Sequence, residues 1–283
     1  MSMQKYRSVR LESVVPDTKL GVDLYIQRND DYVLFQKADR PFTRRHREML
    51  AESGHRRVYI GADDREQFQR YVERHIREII ADPWLVPEEK AEIVYGTTAT
   101  LVEHLFDDPR SPELIRRSKE MIQTTVDLIL SGPEISRHLM AITAHDYYTY
   151  THCVNVTIYG VALCERVFGH DATVNYYQLG HGFLLHDLGK SMIDQKTLNK
   201  SSSLSKQEWE AIRNHPEVGY DILEAAGDVS EEVRVIVLQH HERYAGGGYP
   251  QELKGEEIHP YGRICCIADV FDALCTHRAY SPA

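Results

Sequence analysis

The chain has 283 residues, of which 42% are hydrophobic and 27% are charged, a composition typical of a folded globular protein and not of a disordered or fibrous one. Its net charge of −10 argues against nucleic acid as a partner, because phosphate backbones bind to basic surfaces. The N-terminal residues show no apolar signal-peptide core, and no segment reaches the roughly 18 apolar residues of a membrane helix, so we expect a cytoplasmic protein with no membrane partner.

Residues 1–62 alternate short strand-like runs with one helix. The runs LGVDLYI, YVLFQ and RRVYIG are predicted strands, and TRRHREMLAESG is a predicted helix. We expect a small α/β module here. It contains no motif that indicates chemistry, so its role is expected to be regulation or dimerisation.

Residues 63–140 are predicted to be helical almost throughout. Phe68, Val72 and Ile76 recur at the spacing of one helix face. The prolines and glycines of this region mark loops between the predicted helices, which are Lys90–Phe106, Pro112–Leu130 and Ile135–Ala144. Charged, amphipathic helices between two modules are typical of a connector, and we expect a homodimer contact here.

Residues 141–283 are predicted to be a helical domain that is less polar than the connector. Ser205 and Glu208 form a capping-box pattern, and Pro216 occupies a position that a helix start tolerates. The fold class is therefore mainly α, an all-α domain preceded by a small α/β domain.

Polar residues interrupt the apolar helices of this last domain. A buried carboxylate without a partner costs several kcal/mol, so it must be protonated, ion-paired or bound to metal. Basic partners are few in these helices, whereas ten of the 15 histidines lie from His145 onward. Imidazole and carboxylate together are the ligand set of iron, manganese, nickel or zinc. The candidate ligands are His152, His186, Asp187, His215, His240, His241 and Asp269.

Seven ligands are more than one metal ion usually takes from a protein. If Asp187 bridges two ions, one ion would be held by His152, His186 and Asp269. The other would be held by the remaining three histidines. Two adjacent metal ions are the arrangement that cleaves phosphoesters, with a bridging hydroxide as the nucleophile, so the ligand set predicts a hydrolase.

Four motifs follow one another in the second half of the chain: HDLGK (His186–Lys190), HPEVGYDIL (His215–Leu223), HHERYAGGGYP (His240–Pro250) and IADVFDALCTHRAY (Ile267–Tyr280). Their order and spacing show a resemblance to the HD-GYP domain over residues 140–283. It implies a five-helix HD core, a site for iron or manganese, and hydrolysis of cyclic di-GMP to pGpG or GMP. The ligand positions that it implies are the same seven residues.

Further roles are implied by the same resemblance. Lys190 matches the lysine that reaches the scissile phosphate or protonates the leaving oxygen. Tyr249 matches the residue that lies against the substrate, Arg278 matches a phosphate-binding arginine, and Arg263 matches an arginine that is structural or adjacent to the substrate. Gly248 is a further candidate for substrate binding. The loop that contains Gly248, Tyr249 and Pro250, here called the GYP loop, is the candidate docking surface for GGDEF-type proteins.

Four positions depart from the family pattern. Tyr148 stands where some members have a glutamate that binds a third metal, which favours two metals here. Ala245 replaces a loop aspartate, Ser281 replaces a basic residue, and the sequence stops at Ala283, where members normally continue, so it is either truncated or a short member. Ala245, Ser281 and the early stop favour an alternative, a metal-loaded cyclic di-GMP sensor or protein-docking module with little or no activity. An HD enzyme that acts on another nucleotide is a further alternative, which the GYP segment disfavours.

Overall fold

The structure is a computed structural model, and it describes residues 5–29, 31–143, 149–169, 171–198, 200, 202–227 and 229–275. The chain divides into two compact units, Met1–Thr97 and Thr98–Ala283. The boundary between the two units falls inside residues 63–140, the segment predicted as a connector. The helical residues before the boundary belong to the first unit, and those after it belong to the second.

The first unit contains a four-stranded antiparallel sheet in the order β1-β6-β3-β4 and a two-stranded pair, β2-β5. The strands are β1 (Tyr6–Arg10), β2 (Thr18–Lys19), β3 (Leu24–Arg28), β4 (Asp31–Gln36), β5 (Pro41–Phe42) and β6 (Arg57–Gly61). The helices are α1 (Arg44–Glu52), α2 (Arg65–Ile80) and the beginning of α3 (Pro87–Asp107). Val58 and Ile60 are buried, whereas Arg57 on the same strand is exposed, as the alternation of a strand requires.

The second unit is helical within the residues described. After the end of α3 its helices are α4 (Pro112–Leu130), α5 (Pro133–Ile142), α6 (Thr149–Phe168), α7 (Tyr176–Leu185), α8 (Gln195–Leu198), α9 (Lys206–Arg213), α10 (His215–Ala226), α11 (Glu231–Gln239) and α12 (Pro260–Cys275). The mainly α fold class, with a small strand-containing module first, is confirmed.

Local sequence signals explain several helix starts. The capping box predicted at Ser205 and Glu208 is present at the start of α9, and Pro216 lies in the first turn of α10. At α4, the Ser111 side chain accepts a hydrogen bond from the backbone N–H of Leu114. The strand β1 was not predicted, because YRSVR is too polar to show strand periodicity, and its pairing with β6 supplies the missing stabilisation.

The core of the second unit lies directly behind the His186–Asp187 pair. Leu185 and Leu188 flank the pair and pack in one buried cluster with residues from four helices, which include Leu105, Ile115, Leu223 and Val237. Because a packed core has little freedom to shift, this cluster fixes the backbone that carries the pair.

The glycine of the HDLG sequence has a structural explanation. A Cβ atom at Gly189 would collide with the backbone carbonyl of His215 and come within 2.7 Å of the backbone nitrogen of Gly219. Only glycine therefore lets the start of α10 approach this closely, and that approach brings His215 to Asp187.

In the part of the chain that the structure describes, no helix combines the length and the apolar character needed to cross a bilayer.

Candidate metal centre

The seven predicted ligands come from five helices or their ends. His152 lies in α6, His186 directly follows α7, and Asp187 follows it. His215 begins α10, the pair His240–His241 follows α11, and Asp269 lies in α12. The structure brings all seven together, and five of them are fully buried: His152, His186, Asp187, His215 and His240.

Asp187 lies at the centre of the cluster, with each oxygen directed to a different set of histidines. Its Oδ1 atom is 3.2 Å from His215 Nε2 and 3.6 Å from His240 Nε2. Its Oδ2 atom is 3.4 Å from His186 Nε2 and 3.7 Å from His152 Nε2. The donor atoms form two groups that share Asp187, and within each group they lie within 4.8 Å of one another.

Asp269 has contacts on both sides of this arrangement. Its Oδ1 atom is 3.1 Å from His152 Nε2, and its Oδ2 atom is 3.8 Å from His241 Nδ1. The sequence assigned Asp269 to the group of His152, and the shorter of the two distances is on that side.

Three of the histidines are oriented by helix ends. His186, His215 and His240 each place Nδ1 at 2.7–2.8 Å from the backbone carbonyl three residues earlier. Carbonyls in the last turn of a helix have no partner within the helix, so they are available as acceptors. Because a carbonyl only accepts, each Nδ1 must carry the proton, and each Nε2 presents a lone pair to Asp187.

This orientation creates a repulsion that a cation relieves. His215 Nε2 and His240 Nε2 are only 3.0 Å apart, and each presents a lone pair to the other. Among the residues described, His186 Nε2 and Asp187 Oδ1 also lie buried without a hydrogen-bond partner. Converging lone pairs and an unpaired carboxylate oxygen suit a divalent metal ion, which accepts electron pairs from all of them.

The electrostatics of the cluster favour the ligand-competent protonation state at His215, His240 and Asp187 and oppose it at His152. Burial lowers the pKa of His215 and lowers that of His240 to about 4, so both are neutral at pH 7. Burial alone would raise the pKa of Asp187, but the charge of Lys190 and the nearby histidines hold it well below its ordinary value. Burial likewise opposes protonation of His152, but hydrogen bonds to Asp269 and Asp272 raise its pKa to about 9.

Lys190 is adjacent to the centre. Its Nζ atom is 2.6 Å from Asp187 Oδ2, and its side chain is partly exposed. It lies on a short 3-10 helix, Leu188–Met192, that begins directly after Asp187. The position therefore combines contact with the shared carboxylate and access to solvent.

The GYP loop packs against the cluster through Tyr249. The Tyr249 ring centroid is 4.7 Å from that of His241, and the Arg213 guanidinium lies 4.9 Å from the Tyr249 centroid. Burial raises the pKa of Tyr249 to about 12, so the phenol keeps its proton. A Cβ atom at Gly248 would come within 2.6 Å of Glu242 Cα, so the loop needs glycine there for its own packing.

Arg263 contacts other residues of the protein and not the ligand cluster. Arg263 forms a paired hydrogen bond with Glu256, at 3.1 and 3.0 Å, and lies over the Tyr244 ring. This contact accounts for a structural role, while a contact with substrate stays a prediction. Arg278, Tyr148 and Ser281 lie outside the described residues.

The sequence did not identify the residues that support the ligands. Asp272 is fully buried, with Oδ2 2.6 Å from His152 Nδ1, and its Oδ1 accepts a hydrogen bond of 2.9 Å from Asn155. Asp272 lies one helical turn after Asp269, so the signal that found Asp269, a carboxylate in an apolar helix, applied to it as well. Buried Glu242 accepts hydrogen bonds from the backbone of Gln251 and Leu253 and so anchors the GYP loop.

Several known proteins are similar to this chain in sequence. Residues 177–283 match the HD domain family. The chain is 31% identical to the cyclic di-GMP phosphodiesterase PA4108 of Pseudomonas aeruginosa over 192 residues. The aligned region covers 67% of this chain and 46% of that protein. The chain is also 36% identical to the 3'3'-cGAMP-specific phosphodiesterase 2 of Vibrio cholerae over 166 residues, and that aligned region covers 57% of this chain and 31% of that protein.

A solved structure is also similar. The HDG"Y"P protein Bd1817 of Bdellovibrio bacteriovorus superposes with a TM-score of 0.64 at 22% identity, over 98% of this chain and 90% of that one. The chain spans less than half of the length of the two phosphodiesterases that it matches.

Proposed function

We propose that the chain, whose residues 177–283 match the HD domain family, is an HD-GYP protein that hydrolyses the phosphodiester bonds of cyclic di-GMP. The observation that carries the proposal is the position of Asp187 between two groups of inward-facing histidine nitrogens. Two metal sites that share one carboxylate are suited to phosphoester cleavage. The products expected are pGpG, GMP or both.

We propose two divalent metal ions as cofactors, iron or manganese in preference to nickel or zinc. His152, His186 and Asp269 would hold one and His215, His240 and His241 the other, with Asp187 shared between them. When bound, the two ions would activate a water molecule and neutralise charge on the phosphoryl oxygens.

The residues of the chain itself supply the rest of the proposed mechanism. Burial of Asp187 and of His152, His186, His215 and His240 keeps bulk water from their donor atoms. Lys190, paired with Asp187 and partly exposed, is the group proposed to contact the scissile phosphate or to give a proton to the leaving oxygen. Tyr249 and Arg278 are proposed to contact the substrate, and Gly248 to allow the loop to approach it.

The test is turnover of cyclic di-GMP and of 3'3'-cGAMP, followed by chromatography, with the full chain reconstituted anaerobically with Fe(II) or Mn(II). Metal content is measured on the same samples. We expect about two metal ions per chain and faster cleavage of cyclic di-GMP than of 3'3'-cGAMP. Two bound metals and tight cyclic di-GMP binding without product would favour the sensor or docking module instead.

Other roles of the chain stay predictions. These are a regulatory or dimerisation role for residues 1–62, a connector role for residues 63–140, homodimer formation, docking of GGDEF-type proteins on the GYP loop, and a cytoplasmic location.

A further inference from the structure

We propose that Arg213 recognises a guanine base of the bound dinucleotide by donating hydrogen bonds to its O6 and N7 atoms. The inference rests on the proposed function, because it places the substrate at the metal centre. It adds a residue that selects guanine over adenine.

The location of Arg213 links it to the centre. It is the last residue of α9 and lies two positions before His215. Its guanidinium lies over the Tyr249 ring at 4.9 Å, and that ring lies 4.7 Å from His241. The three side chains form a stack that leads from a candidate metal ligand toward α9.

The charge of Arg213 is available to a ligand. Across the described ranges, no carboxylate lies within ion-pairing distance of its guanidinium. By contrast, Arg234 pairs with Glu224 at 2.7 Å and Arg263 pairs with Glu256 at 3.0 Å. In a chain of net charge −10, an arginine that is half-buried and stacked but lacks an acidic partner has N–H donors to offer.

The stack also indicates which part of the substrate would meet Arg213. The scissile phosphate is expected at Asp187 and Lys190, and the full Tyr249 ring separates Arg213 from His241. The base is carried by the ribose that is joined to this phosphate, so it lies at a distance from the phosphate, and we place it at Arg213. The Tyr249 ring contacts His241 and Arg213, so the donors of Arg213 offer recognition in addition to any contact that Tyr249 makes with the substrate.

The donor geometry of arginine selects guanine. Guanine presents two acceptors, O6 and N7, which a guanidinium contacts together, whereas adenine presents the acceptor N7 beside the donor N6. An arginine therefore favours guanine over adenine by roughly 10- to 100-fold.

The test compares the parent with Arg213→Ala and Arg213→Lys, all loaded with Mn(II). Lys206→Ala is the matched control, since it removes a positive charge from the exposed start of the same helix. The substrates are cyclic di-GMP, cyclic di-AMP and cyclic di-GMP built with 7-deazaguanine, which lacks the N7 acceptor.

We expect Arg213→Ala to lower the ratio of kcat/KM for cyclic di-GMP to that for cyclic di-AMP by roughly 10- to 100-fold. In Arg213→Lys the same ratio should fall less far, because an ammonium can donate hydrogen bonds to guanine but does not form the paired contact. The parent should cleave the 7-deaza substrate more slowly than cyclic di-GMP, and Arg213→Ala should cleave both at one rate. Metal content and the circular dichroism spectrum should match the parent, as should all properties of Lys206→Ala.

An equal loss for all three substrates would overturn the proposal and make Arg213 a phosphate contact, and an unchanged ratio would overturn it as well. If the parent cleaves none of the substrates, the proposed function fails, and calorimetric binding of the same three ligands decides the role of Arg213. If the parent binds cyclic di-GMP more tightly than the other two ligands and Arg213→Ala does not, recognition of the base by Arg213 is supported. If the parent shows no such preference, or if Arg213→Ala retains it, the proposal is overturned. If Arg213→Ala misfolds, Arg213→Lys and the 7-deaza comparison in the parent decide.

Discussion

His152 lies within α6, near the start of that helix, whereas His186, His215 and His240 follow the C-terminal ends of α7, α9 and α11. The three histidines at helix ends are oriented by backbone carbonyls that have no partner within the helix. A histidine within a helix has no such free carbonyl, and His152 is oriented by the Asp272 carboxylate instead. One part of the centre is therefore oriented by backbone, and the other depends on a side chain that a substitution can remove.

The negative ends of helix dipoles also contribute to the cluster. α7, α9 and α11 all end there, and the C-terminal end of a helix favours a nearby cation. His186 follows α7 and belongs to the same proposed metal site as His152, so helix ends contribute to both halves. Asp269 and Asp272 add negative charge beside His152.

The largest effect is expected from Asp187→Ala, because Asp187 belongs to both groups of donor atoms. Metal content should fall from about two ions per chain to well below one, and cleavage should fall below detection. Metal content is measured by mass spectrometry after gel filtration, and cleavage is measured by chromatography. Asp221→Ala, an exposed carboxylate on α10, is the control and should behave like the parent. A variant that kept both ions would rule out the shared carboxylate.

Single histidine substitutions should separate the two halves. His152→Ala and His240→Ala should each retain about one metal ion per chain, and each should lose cleavage, because two ions are needed together. Metal titration in the presence of a competing chelator measures the stoichiometry. Loss of both ions in either variant would mean that the halves do not bind independently.

Lys190→Ala should affect turnover more than metal. Its Nζ atom contacts Asp187 Oδ2, the oxygen on the side of His152 and His186, so any change in metal affinity should be limited to that half. If Lys190 gives a proton to the leaving oxygen, kcat should fall by roughly 10²- to 10⁴-fold. Steady-state kinetics on protein with its metal content verified measures this. A variant as fast as the parent would exclude the proposed role.

The sequence predicted most of the centre because its ligands are the residues that an apolar helix does not tolerate without a partner. His186, Asp187 and Asp269 stand out for that reason, and the fold class followed from helical periodicity and capping patterns. The helix-end geometry was not predictable, because it depends on where each helix stops relative to its neighbours. Arg213 was not identified because its partner, Tyr249, is distant in sequence and becomes a neighbour only in the fold.

Asp272 shows the same limit at a residue with a visible signal. Asp269 alone completes the predicted ligand set, so the sequence assigns no role to Asp272. Only the structure distinguishes their positions, because Asp269 faces His152 Nε2 and Asp272 faces His152 Nδ1. The two nitrogens of one ring therefore contact two carboxylates of different function.

The smallest of these effects is expected from Asp272→Asn, which keeps the shape of the side chain and removes its charge. The His152 ring should be held less firmly and become a poorer ligand, so the metal affinity of its half should fall by roughly 10- to 100-fold. The half of His215 and His240 should be unchanged, because backbone carbonyls orient those rings. Stepwise metal titration resolves the two affinities, and Asp221→Asn provides the control for loss of an exposed charge. Equal weakening of both halves would show that Asp272 stabilises the whole helical unit and does not act through His152.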